Sequence, residues 1–137
     1  MKVKLLASIV TTAVLAVSSA NAMPPKPAKC PGATALQSVS LQLAERDNDG
    51  LWVVGVMSNV YDTKDKWTFV LAKIPAASDK DAKTHAAEAM KTLKFAQGPI
   101  PVEQYGVWAC AYSNAKNFPG ISVTPALGFA PAKKLAV

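Results

Sequence analysis

Histidine and arginine are almost missing from this chain of 137 residues: each occurs once, as His85 and Arg46. A single histidine excludes a two-histidine metal site within one chain. A single arginine, with the lysines scattered, excludes the clustered basic stripe by which nucleic-acid-binding domains follow phosphates. Cysteine is just as scarce, at Cys30 and Cys110 only, so no more than one intramolecular bridge can form. A membrane-length apolar run is also lacking. The N-terminal stretch Leu5 to Val17 is interrupted by Ser8, Thr11 and Thr12 and falls short of the roughly 20 residues that span a bilayer.

What stands at the N-terminus is a leader. Lys2 and Lys4 precede the apolar stretch, and Ala20-Asn21-Ala22 supplies the small residues of a secretory cleavage site. Residues 1–22 therefore read as a cleavable signal peptide, with a mature chain that begins at Met23, has no membrane span, and is secreted or periplasmic. Only Lys2 and Lys4 leave with the leader, so thirteen basic residues face nine acidic ones and the mature charge is +4. The remaining 115 residues suit one hydrophobic core.

Residues 23–34, which open "MPPKPAKCP", read as an extended, semi-rigid lead-in, and residues 35–137 as a single domain. "SVSLQLA" alternates as a half-buried strand, "RDNDG" is turn chemistry, and "LWVVGVMSNV" and "WTFVLAKI" follow as strands. Gly55 marks a bulge or a close approach. Ser78 with Asp81 resembles a capping box before a helix over "DAKTHAAEAMKTLKFAQ", whose apolar stripe is Ala82, Ala86, Ala89, Met90 and Leu93. Gly98 and Pro99 are expected to stop it. "GPIPVEQ" reads as a loop, and "YGVWACAYSN" and "ISVT" as the last strands. The fold class is α+β: about five antiparallel strands, in chain order β-β-β-α-β-β, covered by one helix.

Few residues carry chemistry. Glu45, Asp47 and Asp49 before Gly50 have the spacing that opens a calcium loop, but the twelfth position counted from Glu45 is Val56 where a bidentate Glu is needed, so a hairpin turn is expected. No nucleophile and base are paired, and no enzyme is expected. His85 sits at the border of the helical stripe, where an imidazole can pack at a sheet edge or ligate a metal. Trp52, Trp67 and Trp108 lie on three strands as core or as walls of a groove. Tyr61, Tyr105 and Tyr112 suit edge packing, although a phenolate is also an iron(III) ligand. Cys30, directly before Pro31, has the form of a ligand, a nucleophile or half of a bridge. In an oxidising compartment with one other cysteine, a structural Cys30–Cys110 disulfide is the expected state.

With the leader, "KCPG", "GVWACAYSN" and "ISVT" in view, the chain resembles a family of small exported gammaproteobacterial proteins, most without an assigned role and some named hemin-binding proteins. The resemblance covers the whole chain in length, layout and cysteine placement. It implies a small exported binding protein that takes hemin. His85, Tyr105 and Tyr112 are then the candidate haem-binding residues, Lys73, Lys91, Lys94 and Lys116 the propionate partners, and the tryptophans the walls. The competing expectation is a secreted or periplasmic protein-interaction module with no cofactor, which binds another protein through its sheet face or an open edge.

Overall fold

The structure, a computed structural model, describes residues 22–136, so the leader expected over residues 1–22 lies outside the described residues except for Ala22. Six antiparallel strands form one sheet: β1 (Leu43–Arg46), β2 (Trp52–Asn59), β3 (Trp67–Ile74), β4 (Lys94–Val102), β5 (Val107–Ser113) and β6 (Gly120–Thr124). Their order across the sheet is β1-β2-β3-β6-β5-β4. Three helices accompany them, α1 (Ala33–Gln37), α2 (Asp79–Met90) and α3 (Phe129–Leu135). The α+β class is as the sequence predicts, but the count of five strands and one helix is corrected to six and three.

Alternation along β3 divides the core. Trp67, Phe69 and Leu71 point to one face with Trp52, Val54, Cys110 and Tyr112, where α2 lays down Ala82, Ala86, Ala89 and Met90 and α1 adds Leu36. Val70, Ala72 and Val53 point to the other face, which α3 covers with Phe129 and Ala132. Two-sided burial explains why "WVVGV" shows no alternation: all five residues are buried, because each face has its own helix. Gly55 faces α3 at a close approach, since a Cβ there would stand 2.4 Å from the Phe69 carbonyl oxygen and 3.0 Å from Phe129.

The alanine stripe of α2 is fully buried, so small side chains let the helix lie close to the sheet. Its start is capped as expected in part: the Ser78 hydroxyl accepts from the Asp81 N–H at 3.1 Å, but the Asp81 carboxylate turns to the Ala77 N–H at 3.0 Å. The expected end at Gln97 is corrected. The helix stops at Met90, the Thr92 hydroxyl donates to the Ala89 carbonyl, and Lys94–Val102, expected as helix and loop, forms β4 instead. β4 is an edge strand with two register shifts against β5, and an edge tolerates Pro99 and Pro101 because their missing N–H groups need not enter a ladder. The first strand is shorter and lies later than expected: β1 covers Leu43–Arg46 in place of residues 38–44, and α1 begins at Ala33, inside the expected lead-in.

Candidate functional site

The lead-in is fixed to the domain by three kinds of contact. Cys30 and Cys110 are joined by a disulfide, with their Cα atoms 6.0 Å apart. Tyr112, on the same face of β5 as Cys110, donates its hydroxyl proton to the Pro31 carbonyl. Asp62 accepts the Gly32 N–H at 3.0 Å with one oxygen and holds the Lys29 ammonium at 3.2 Å with the other. The Gly32 N–H and then the Lys29 ammonium keep the Asp62 carboxyl below its ordinary range.

The loop carrying Asp62 is itself braced. Asn59 accepts the Tyr61 N–H at 2.8 Å, which holds Tyr61 at a φ of 53°. The Thr63 hydroxyl accepts both the Trp67 indole N–H at 2.8 Å and the Asp65 N–H at 3.1 Å. Thr124 at the end of β6 donates to the Lys66 carbonyl at 2.7 Å.

Between this loop and the lead-in runs a groove of about 500 Å³. Trp108, half-buried on β5, contributes its ring, and its indole N–H donates to the Pro24 carbonyl at 3.0 Å. Pro24, Pro25, Pro27 and Pro125 add apolar surface, and Thr124 also lines the groove. The charged lining is Lys26, Lys29, Asp62, Lys64 and Asp65. Lys29 and Asp62 neutralise one another, whereas Lys26 and Lys64 have no carboxylate within 4.0 Å among the described residues. The groove thus pairs a flat aromatic and proline wall with two uncommitted ammonium groups, and its size falls in the range of small-molecule sites.

An expected change with pH follows from Asp62. Because its folded pKa is depressed, its contribution is present above the unfolded value, about 4, and is lost as pH falls through the folded value. Hydrogen exchange at the Gly32 amide is expected to lose protection progressively as pH falls from about 4 to about 2, below the unfolded value and through the depressed one. Asp62→Asn should remove that dependence. An unchanged dependence in Asp62→Asn would show that Asp62 is not the latch.

None of the three haem-ligand candidates lines the groove. His85, on α2, meets the Pro75 carbonyl through Nδ1 at 2.9 Å and lies 3.5 Å from Asp81 through Nε2. Tyr112 is buried on the α2 face, its pKa pushed up to about 12 by burial, so its phenolate is disfavoured. Tyr105 ends a short 3-10 turn and packs with Val107, Ala109 and Val123 on the opposite face. Among the described residues, no histidine, tyrosine, methionine or cysteine lines the groove.

Among the lysines, Lys91 and Lys94 come together in an open cleft with Asn114 and Asn117, and Lys116 flanks it in sequence. Lys73 lies elsewhere, bridging Asp49 at 3.1 Å and Asp47 at 3.7 Å. That ammonium occupies the place a cation would take in the acidic turn, and Asp47 also accepts the Asp49 and Leu51 N–H groups. No group of three or more acidic, histidine or cysteine side chains fit to hold a metal occurs among the described residues.

Of the three tryptophans expected as core or as walls, Trp108 lines the groove while Trp52 and Trp67 are core, and Lys26 and Lys64 are not among the expected residues. The proline cluster was the available signal, because a stiff segment tethered by Cys30 has to lie along some surface. No described helix is long and apolar enough to cross a membrane. No known protein family, curated protein or solved structure matches the chain.

Proposed function

We propose that the protein is an exported binding protein whose ligand lies in the groove beside Trp108, and that the ligand is a flat apolar molecule bearing acidic groups. One observation carries this reading: the Trp108 and proline walls meet two ammonium groups, Lys26 and Lys64, that have no ion-pair partner among the described residues, in a groove of about 500 Å³. The disulfide fits an oxidising compartment, which supports export. The family resemblance supplies hemin as the candidate.

The groove suits hemin's ring and propionates and, among the described residues, offers its iron no ligand of the kinds haem proteins use. Recognition through ring and propionates alone predicts that metal-free protoporphyrin IX binds as tightly as hemin. Trp108→Ala is expected to weaken both at least about tenfold, since aromatic anchors dominate such sites. His85→Ala should leave both unchanged. Fluorescence titration checks this. Tight hemin binding lost in His85→Ala, or in Tyr105→Phe or Tyr112→Phe, would replace the groove with an iron-ligand site.

Binding of a protein partner without a cofactor is the second reading. It draws on β4, an edge strand exposing Phe95 and Ile100. Two register shifts and two prolines interrupt that strand, and such features keep sheet edges from accepting another strand. The groove is therefore the better-supported site.

A further inference from the structure

We infer that the freed N-terminus is part of the binding site: cleavage between Ala22 and Met23 places an ammonium group at the lead-in end of the groove, where an acidic ligand gains a third cation. The inference rests on reading the groove as a ligand site.

Pro24 lines the groove, and its carbonyl is held by the Trp108 indole. Met23 precedes it by one residue, a Cα–Cα step of about 3.8 Å, and is itself half-buried. A residue before proline is confined to extended backbone, and each proline fixes its own φ, so Met23 to Pro27 is a stiff segment whose terminus keeps its place. Ala22 is exposed and outside any helix or strand, the state of chain a peptidase accepts.

The chemistry of cleavage creates the group. Water adds across the Ala22–Met23 amide, Ala22 leaves as a carboxylate, and the Met23 nitrogen takes up protons to become an ammonium. In the uncleaved chain the same nitrogen is a neutral amide with 22 further residues attached. Ligand binding then belongs to the processed protein, and a tag fused directly ahead of Met23 abolishes the same charge.

Among the described residues, the other charged groups at the groove are Lys26 and Lys29 from the lead-in and Asp62, Lys64 and Asp65 from the loop, while β5 contributes Trp108, β6 Thr124 and the following bend Pro125, none of them charged. An α-amino group ordinarily titrates at about pH 8. The test titrates protoporphyrin IX into the chain beginning at Met23 and into the same chain acetylated on that nitrogen. At about pH 7 the free-amine form is expected to bind about two- to fivefold more tightly, the scale of one partly exposed charge contact, and at about pH 9 the two should converge. Equal affinities at about pH 7 overturn the inference. Trp108→Ala, titrated in parallel, separates the two failures. If it weakens binding while acetylation does not, the groove stands and the terminus is no part of it. If it has no effect, the groove reading falls and the inference with it.

Discussion

Cys30→Ser lowers the melting temperature as far as Cys110→Ser does, by roughly 15 °C, and the double variant loses no more. Both single changes remove one link, which closes a loop across 80 residues of sequence. Tying that loop restricts the unfolded chain, and the chain-entropy model gives roughly 4 kcal/mol for it. That is a large share of the roughly 5 to 15 kcal/mol by which folded domains exceed their unfolded states. Either variant also removes the covalent tie between the lead-in and β5, leaving the Asp62 latch and the Tyr112 and Trp108 hydrogen bonds to hold one wall of the groove. Porphyrin affinity should therefore fall with stability. Thermal melts that show no loss, or losses additive in the double variant, would mean that the link is not the source of the stability.

Trp67→Ala is expected to destabilise the chain by about 3 to 5 kcal/mol, the range for removing a buried large aromatic. The ring is fully buried on the α2 face of β3, and its loss leaves a cavity that the packed sheet and helix cannot close. Trp67→Phe separates packing from hydrogen bonding. It keeps most of the apolar volume and removes the N–H that the Thr63 hydroxyl accepts, so it should cost less stability and still loosen the loop that bears Asp62 and Lys64. Urea unfolding measures the first effect and porphyrin titration the second. A Trp67→Ala variant as stable as the parent would contradict the placement of this ring in the core.

Much of the framework was legible because local chemistry and burial agree. The alternation of Trp67, Phe69 and Leu71, the alanine stripe of α2, the Asp47 turn and the Cys30–Cys110 pairing all follow from residue type and spacing. What was not legible depends on neighbours distant in sequence. Lys94 to Gln97 favour a helix locally, yet pairing with β5 and an edge position make the segment a strand. The second covering helix, α3, is short and gives little periodicity, and its place is set by Val53 and Val70 on the far face. The groove was the least legible, since Lys26, Lys64 and Trp108 meet only when the lead-in folds back across β5.

The measurement that bears most directly on the groove is the response of the indole N–H resonances to protoporphyrin IX. Each indole has its own acceptor: Trp52 donates to the Ala76 carbonyl, Trp67 to Thr63 and Trp108 to Pro24. A ligand lying against Trp108 shifts that resonance most and leaves the Trp52 resonance in place. At saturation, an unmoved Trp108 signal would contradict the account, whatever the affinity measured.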